Sequence, residues 1–353
     1  MQVEFADDAI CIVGAEASTA VGRGLLASAA AVRAGIAGFD EHPYMIDKHG
    51  EPMVVARAKW LDEDLPVEDR IVALGSESAQ EALVPVASKG LSVGRLVIRG
   101  YWALSAENLP DASRRQEVLN RIVGELPIEL SSMECIAEGH AGGLLALARA
   151  CAELRAKKAH FCVVAGADSW LSPERLEALD SAGRLHSVNY SWGFIPGEGA
   201  GCCLVTTGAR AKEHRLTPLA EVLNVATANE TKLMGTETIC IGEGLTEAFR
   251  QVLDSRYRVA HSYCDFNGET YRADEYGFTI CRTSEYFEDA SKFTAAAECW
   301  GDVGAASGVL ALALPLAIRL HRNAERSVTL GWSSSAHAPI RGAALLKQLA
   351  MSN

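Results

Sequence analysis

The chain has 353 residues, 49% of them hydrophobic, and a formal charge of −12. That is enough to build a large core, as one big domain or two fused halves. The acidic balance argues against a nucleic-acid backbone or an anionic membrane as main partner, because both demand clustered Lys and Arg. The densest basic run, Arg155, Lys157 and Lys158, reads as a helix end, where cations meet the negative pole of the helix. No apolar run reaches the length of a membrane span. The first residues, with Met1, Gln2, Glu4, Asp7 and Asp8, carry no basic-then-apolar leader, so a cytoplasmic protein is expected. Ten cysteines are scattered from Cys11 to Cys299 without paired metal spacings. Reduced buried thiols, no metal and no cofactor are therefore expected.

In chain order, residues 9–14 predict a short apolar strand that opens into a helix containing residues 22–27. Residues 70–83 have helical spacing and residues 95–100 read as a strand. Residues 133–137 form a further strand, and a long helix then runs to Leu154. The apolar run at 160–168 predicts a buried strand, which favours an α/β sheet covered on both faces. Between Thr206 and Pro218 the composition turns polar, dividing the chain into halves at 1–208 and 209–353. The rhythm then restarts with a strand at 219–223, an amphipathic helix at 242–253 and a closing strand at 327–332.

Two stretches look like copies of one strand-to-helix corner. GHAGGLLALA at residues 139–148 and GDVGAASGVLALAL at residues 301–314 each set a small-residue turn before an apolar helix. Such corners present a side chain and backbone N–H groups at a helix start, where developing negative charge is stabilised. The presented residues here are His140 and Asp302. Paired, they would make a dyad with the carboxylate orienting the imidazole. Alternatively, His140 fills a pocket and hydrogen-bonds to Asn267 or Asp302.

The segment GFIPGEGAG at residues 193–201, with Gly197, Glu198, Gly199 and Gly201, resembles the GFxxGEGAG segment of β-ketoacyl-ACP synthases, in the thiolase-like superfamily. Residues 12–15 and 34–36, the strand end at 165–167, Gly242 to Leu245, Asn267 to Thr270 with Asp274, and the 301–306 corner follow in that family's order. The resemblance implies a five-layered α-β-α-β-α fold of two similar halves, usually dimeric, with the pocket where the halves meet. In an active member a Cys on the first corner is acylated, and two His, or His and Asn, from the second half drive decarboxylation of a malonyl thioester and stabilise the oxyanion.

Aligned on that pattern, the nucleophile position holds His140, the first catalytic His position Asn267 and the second Asp302. The usual Lys before the second corner is replaced by residues 297–300, and the glycine-rich closing loop by residues 333–339. Cys135 is an alternative nucleophile, since Cys135 to His140 copies a Cys-to-His spacing of some ketosynthases. Cys264 and Cys299 read as core thiols, Glu198 as a structural residue held by neighbouring backbone, and Asp168, Asp274 and Glu275 as turn or cap residues.

The expectation is a ketosynthase-like protein that has lost condensing activity and binds a partner, as a chain-length factor does or as an accessory of a type VI secretion effector cluster. The alternative is an acyltransferase or thioester hydrolase using His140 or Cys135. Partners to expect are a second copy, a ketosynthase-like subunit, an acyl carrier protein or a secreted effector. The resemblance places residues 133–137 at the dimer interface. An acidic carrier would be repelled by the net charge unless a local basic patch met it.

Overall fold

The computed structural model describes residues 5–91, 96–236, 238–317 and 327–349. Among these, the first-half strands are β1 (Ile10–Thr19), β2 (Gly22–Arg23), β3 (Phe39–Ile46), β4 (Pro52–Ala56), β5 (Ile98–Leu104), β6 (Ser132–Ile136), β7 (Phe161–Ser169) and β8 (Glu198–Thr207). The second half supplies β9 (Ala220–Asn229), β10 (Val259–Cys264), β11 (Phe293–Ala295), β12 (Val328–Ser334) and β13 (Ile340–Gln348). The α-helices are α1 (Leu25–Ala34), α2 (Val67–Ala82), α3 (Val84–Ala87), α4 (Ala112–Gly124), α5 (Gly142–Arg155), α6 (Pro173–Ser181), α7 (Gly208–Glu213), α8 (Glu243–Val252), α9 (Thr270–Thr283), α10 (Ala297–Trp300) and α11 (Ser307–Ala317).

The two halves repeat one topology. The order β1-β8-β7-β5-β6 in the first is matched by β9-β13-β12-β10-β11 in the second. In each, the first two pairings are antiparallel and the last two parallel. A short antiparallel contact, Ile10 opposite Val222 and Ile12 opposite Ala220, joins them. Helices α2 and α4 cover one outer face, α8 and α9 the other, and α5 and α11 fill the middle. Side chains alternate accordingly. Ile10, Ile12, Ala344 and Leu346 face the central core, Cys11 and Val13 the first outer core, and Ala343 and Leu345 the second. This is the five-layered α-β-α-β-α arrangement of two similar halves. No described helix is long and apolar enough to cross a membrane.

Several predicted elements shift, among them the strand placed at 219–223, which runs Ala220–Asn229. The first strand runs ten residues rather than six, because residues through Thr19 pair with β8. Gly22 and Arg23 pair back on Thr19 and Ser18 instead of joining a helix, and Gly24, at φ 120°, places the helix start at Leu25. The strand placed at 95–100 runs Ile98–Leu104, where it pairs with β7, while Arg95 lies outside the described residues, as do Met1, Gln2 and Glu4.

The central helices touch at their starts. A Cβ on Gly143 would lie 2.7 Å from the Val309 nitrogen, and one on Gly308 would lie 2.9 Å from the His140 carbonyl oxygen. Only hydrogen fits there, and the two corners are brought together by that approach. Gly143→Ala is expected to cost about 1–3 kcal/mol in urea unfolding through overpacking. Gly124→Ala, with nothing within 4 Å of the new methyl, should not destabilise. Equal midpoints for the two variants would contradict this account.

Candidate functional site

The first corner is a single 3-10 turn, Gly139–Ala141, between β6 and α5; the second is a matching turn, Gly304–Ala306, between α10 and α11. His140 and Asp302 meet across them, both about 2% exposed at the side chain. His140 Nε2 lies 2.9 Å from each Asp302 oxygen, and since a carboxylate only accepts, Nε2 carries the proton. His140 Nδ1 has no partner among the described residues.

Asp302 collects further donors. Oδ1 accepts from Trp170 Nε1 at 3.0 Å and the Gly304 N–H at 2.7 Å, and Oδ2 accepts from Asn267 Nδ2 at 2.6 Å. Asn267 Nδ2 also donates to Glu269 Oε2 at 3.0 Å. Asp168 Oδ2 accepts the Ala305 N–H at 2.8 Å and Oδ1 accepts from Asn108 Nδ2. On the first corner the Ala141 N–H donates to Ser335 Oγ, which in turn donates to the Glu138 carbonyl, and Ser333 Oγ donates to the His140 carbonyl. The N–H groups of Ala141, Gly304 and Ala305, which such corners hold out to a substrate oxyanion, are thus bonded within the protein.

Electrostatics binds the pair. Burial alone would lower the His140 pKa, but the Asp302 charge and hydrogen bond override it and leave it raised. Burial would raise Asp302, yet His140, Arg272 and the Gly304 N–H hold it well below the carboxylate range. Asp168, with no ion-pair partner among the described residues, is pushed up to about 6 by burial. Arg272 donates to Asp265 Oδ2 at 2.6 Å and to the Ser334 carbonyl at 2.7 Å. The space lined by Asp265, Asp302, Ser307 and Leu310 amounts to about 20 Å³, room for one water and not for an acyl chain.

The 193–201 segment runs beside the second corner. The Gly197 N–H donates to the Asp302 carbonyl, and a Cβ on Gly197 would sit 2.4 Å from the Trp300 carbonyl oxygen. Gly199 and Gly201 lie in β8, the latter against Leu310 of α11. Glu198 is fully buried and accepts from Arg70 Nε and Nη2, the Ala58 N–H and Ser169 Oγ.

Three acidic residues depart from the turn-or-cap reading. Asp168 ends a buried strand and reaches the second corner. Glu275 is inside α9, ion-paired to Arg341 at 2.5 Å, and Asp274 is on the exposed face of that helix. Cys135 packs against the first outer core, whereas His140 lies on the corner with Asp302, and burial raises the Cys135 thiol pKa. Burial also raises Cys264 and Cys299, so none is poised as a thiolate. Among the described residues Glu230, Cys240 and Glu275 bring ligand-type atoms within 4.8 Å of one another. Their carboxylates already serve Arg341 and the N–H groups of Thr231, Lys232 and Gly244. Sequence reasoning missed Trp170, Asp265 and Arg272, which lie outside the family's motif positions, and placed Ser335 in the closing-loop segment without assigning it a bond.

A family model described as the β-ketoacyl synthase N-terminal domain matches residues 139–211. No curated protein matches the chain. Among solved structures, the ishigamide ketosynthase/chain length factor superposes with a TM-score of 0.72 at 20% identity, over 97% of this chain and 100% of that one. The ketosynthase from module 6 of the bacillaene synthase of Bacillus subtilis 168 gives 0.76 at 13%, over 97% and 72%. The AntDE:AntF assembly, a type II acyl-carrier protein in complex with its ketosynthase bound to the hexaketide, gives 0.74 at 13%, over 98% and 100%. The fold is therefore that of the thiolase-like ketosynthases.

Asp302→Asn should lower stability by about 3–5 kcal/mol, since His140 keeps its buried position without a counter-charge. The pH dependence follows from the two directions. His140, raised, contributes fully below about pH 6.5 and loses its contribution as pH rises through its folded value; Asp302, lowered, contributes above about pH 4 and loses it on acidification. The urea midpoint of the native chain should therefore fall on the alkaline side, and Asp302→Asn should flatten that limb. A native profile already flat there would remove the ion pair from the account.

Proposed function

We propose that this chain is a ketosynthase-family protein that does not condense thioesters and works as a binding subunit, beside a second copy or a ketosynthase-like partner. The observation that carries the reading is that four donors of the two corners are taken up within the protein. Nε2 of His140 and the Gly304 N–H are held by Asp302, the Ala305 N–H by Asp168 and the Ala141 N–H by Ser335. Condensation needs an acylatable sulfur and free donors aimed at a thioester oxygen. Here the positions of the Cys and two His hold His140, Asn267 and Asp302.

The open edge strand β6, whose Ser132, Met133 and Glu134 are exposed, supports association with another chain. The ketosynthase/chain length factor and the carrier-protein complex among the similar structures suggest a ketosynthase-like or acyl-carrier partner for this chain too. The division at 208/209 is retained as the working boundary, supported by β8 closing one repeat at Thr207 and β9 opening the next at Ala220.

One observation favours a second reading. An imidazole oriented by a buried carboxylate through Nε2, with Nδ1 unpartnered, is the arrangement of a general base or acyl acceptor. Intact-mass spectrometry after incubation with acetyl- and malonyl-coenzyme A decides between them. The expected result is an unmodified chain and no released thiol. An acyl adduct mapped to His140 or Cys135, abolished by His140→Ala or Cys135→Ala, would establish the transferase or hydrolase instead.

A further inference from the structure

A polar cluster drawn from five separate segments is linked to the corner pair by hydrogen bonds, and is called the cover below. Arg184, following α6, holds Glu269 at the start of α9 through Nε to Oε1 at 2.9 Å and Nη2 to Oε2 at 3.2 Å. Arg175 of α6 holds Glu107, in the loop after β5, at 2.5 Å. Each guanidinium also stacks on an aromatic ring, Arg184 on Phe194 at 5.3 Å and Arg175 on Trp170 at 4.9 Å. The cover is wired to the centre. Glu269 is bonded to Asn267, and Asn267 and Trp170 both donate to Asp302.

His337, in the loop between β12 and β13, joins these pieces. Its Nε2 lies 3.1 Å from Arg184 Nη1. A guanidinium has five donors and no acceptor, so Nε2 must accept, and the imidazole is neutral in this arrangement. The groups facing it are Arg184, Arg175, Glu107 and Glu269. Glu107 Oε2 is the nearer carboxylate, at 3.6 Å.

We propose that His337 is a pH-sensitive latch on this cover, shut when neutral and bonded by Arg184, and opening the way to His140 when protonated. A proton on Nε2 removes the acceptor and sets two cations 3.1 Å apart. The imidazolium then turns to Glu107, where it competes with Arg175, so both arginines lose a contact in one event. Burial comes first in holding His337 below the ordinary histidine range, and Arg184 and Arg175 add to it, with Glu107 and Glu269 acting against them. Because the folded value is the lower one, the closed cover is favoured above the unfolded value of about 6.5 and weakens as pH falls through the folded value. The latch does not depend on whether the corner is acylated: an adduct on His140 would end the binding-subunit reading and leave this one standing.

Amide hydrogen exchange of the full chain, read by mass spectrometry and corrected for the intrinsic pH dependence, tests it. Between pH 7.5 and 5, protection in peptides covering 183–186, 335–340 and 139–143 is expected to fall at least about tenfold. Helix α1, which packs on β1, β2 and α11 and touches none of these residues, should not change. His337→Gln keeps an acceptor for Arg184 at every pH and should stay protected throughout. His337→Lys carries a fixed charge and should show the low-pH pattern already at pH 7.5. Unchanged protection in the native chain, or an equal loss in His337→Gln, overturns the latch.

Discussion

The approach of α5 and α11 at Gly143 and Gly308 is the constraint on which the rest depends. With hydrogen alone at both positions, the helix starts close to within backbone contact, and the residues just before them, His140 and Asp302, can do nothing but meet. A methyl group there would push the halves apart. The repeat therefore converges on one point: two equivalent strand-to-helix corners, one from each half, delivered to the same buried spot by helices that fill the middle layer. The glycines at 197 and 301 extend the same logic, letting the 193–201 segment run against the second corner closely enough for Gly197 to bond the Asp302 carbonyl.

What happens at that spot is decided by charge. A helix start is electropositive and favours an anion. In this chain the protein supplies its own, since Asp302 and Asp168 occupy the N–H groups at the start of the second corner. The cost of burying Asp302 is offset by an imidazole, an indole, an amide and a backbone N–H together, none of which would suffice alone. Arg272, paired to Asp265 close by, adds a second cation to the balance. A substrate oxyanion would have to displace a carboxylate with four donors.

Much of the architecture was legible in the sequence because it rests on local signals. A continuous apolar run marks β7 and the restart after Pro218 marks the second half, while the small-residue turns before residues 142 and 307 mark both corners. The positions of His140, Asn267 and Asp302 followed from motif order. A bond from His140 to Asp302 was anticipated as one alternative, but which partner each group takes was not legible, because the bonds join residues up to 162 positions apart and depend on how the halves close. Trp170 and Arg272 escaped for the same reason: an indole N–H and a buried guanidinium look like core and surface until their partners are in place. Asp168 and Glu275 were misread because an acidic residue near a glycine or a helix start suggests a cap, and only the tertiary fold reveals a carboxylate buried against a distant corner or an arginine.

The cover and the corner are one electrostatic object rather than two. Trp170 carries Arg175 on its face and Asp302 on its N–H; Asn267 touches Glu269 on one side and Asp302 on the other. A change at the surface therefore acts on Asp302 through the two side chains that hold it, without any backbone intermediary. The corner needs both to keep its carboxylate buried, so loosening the cover weakens the His140 pair as well as exposing it. Stability and access at this site are coupled in opposite senses, and the arrangement that makes the centre inert when closed is the same one that would leave an oriented imidazole, with a free Nδ1, facing whatever enters when it opens.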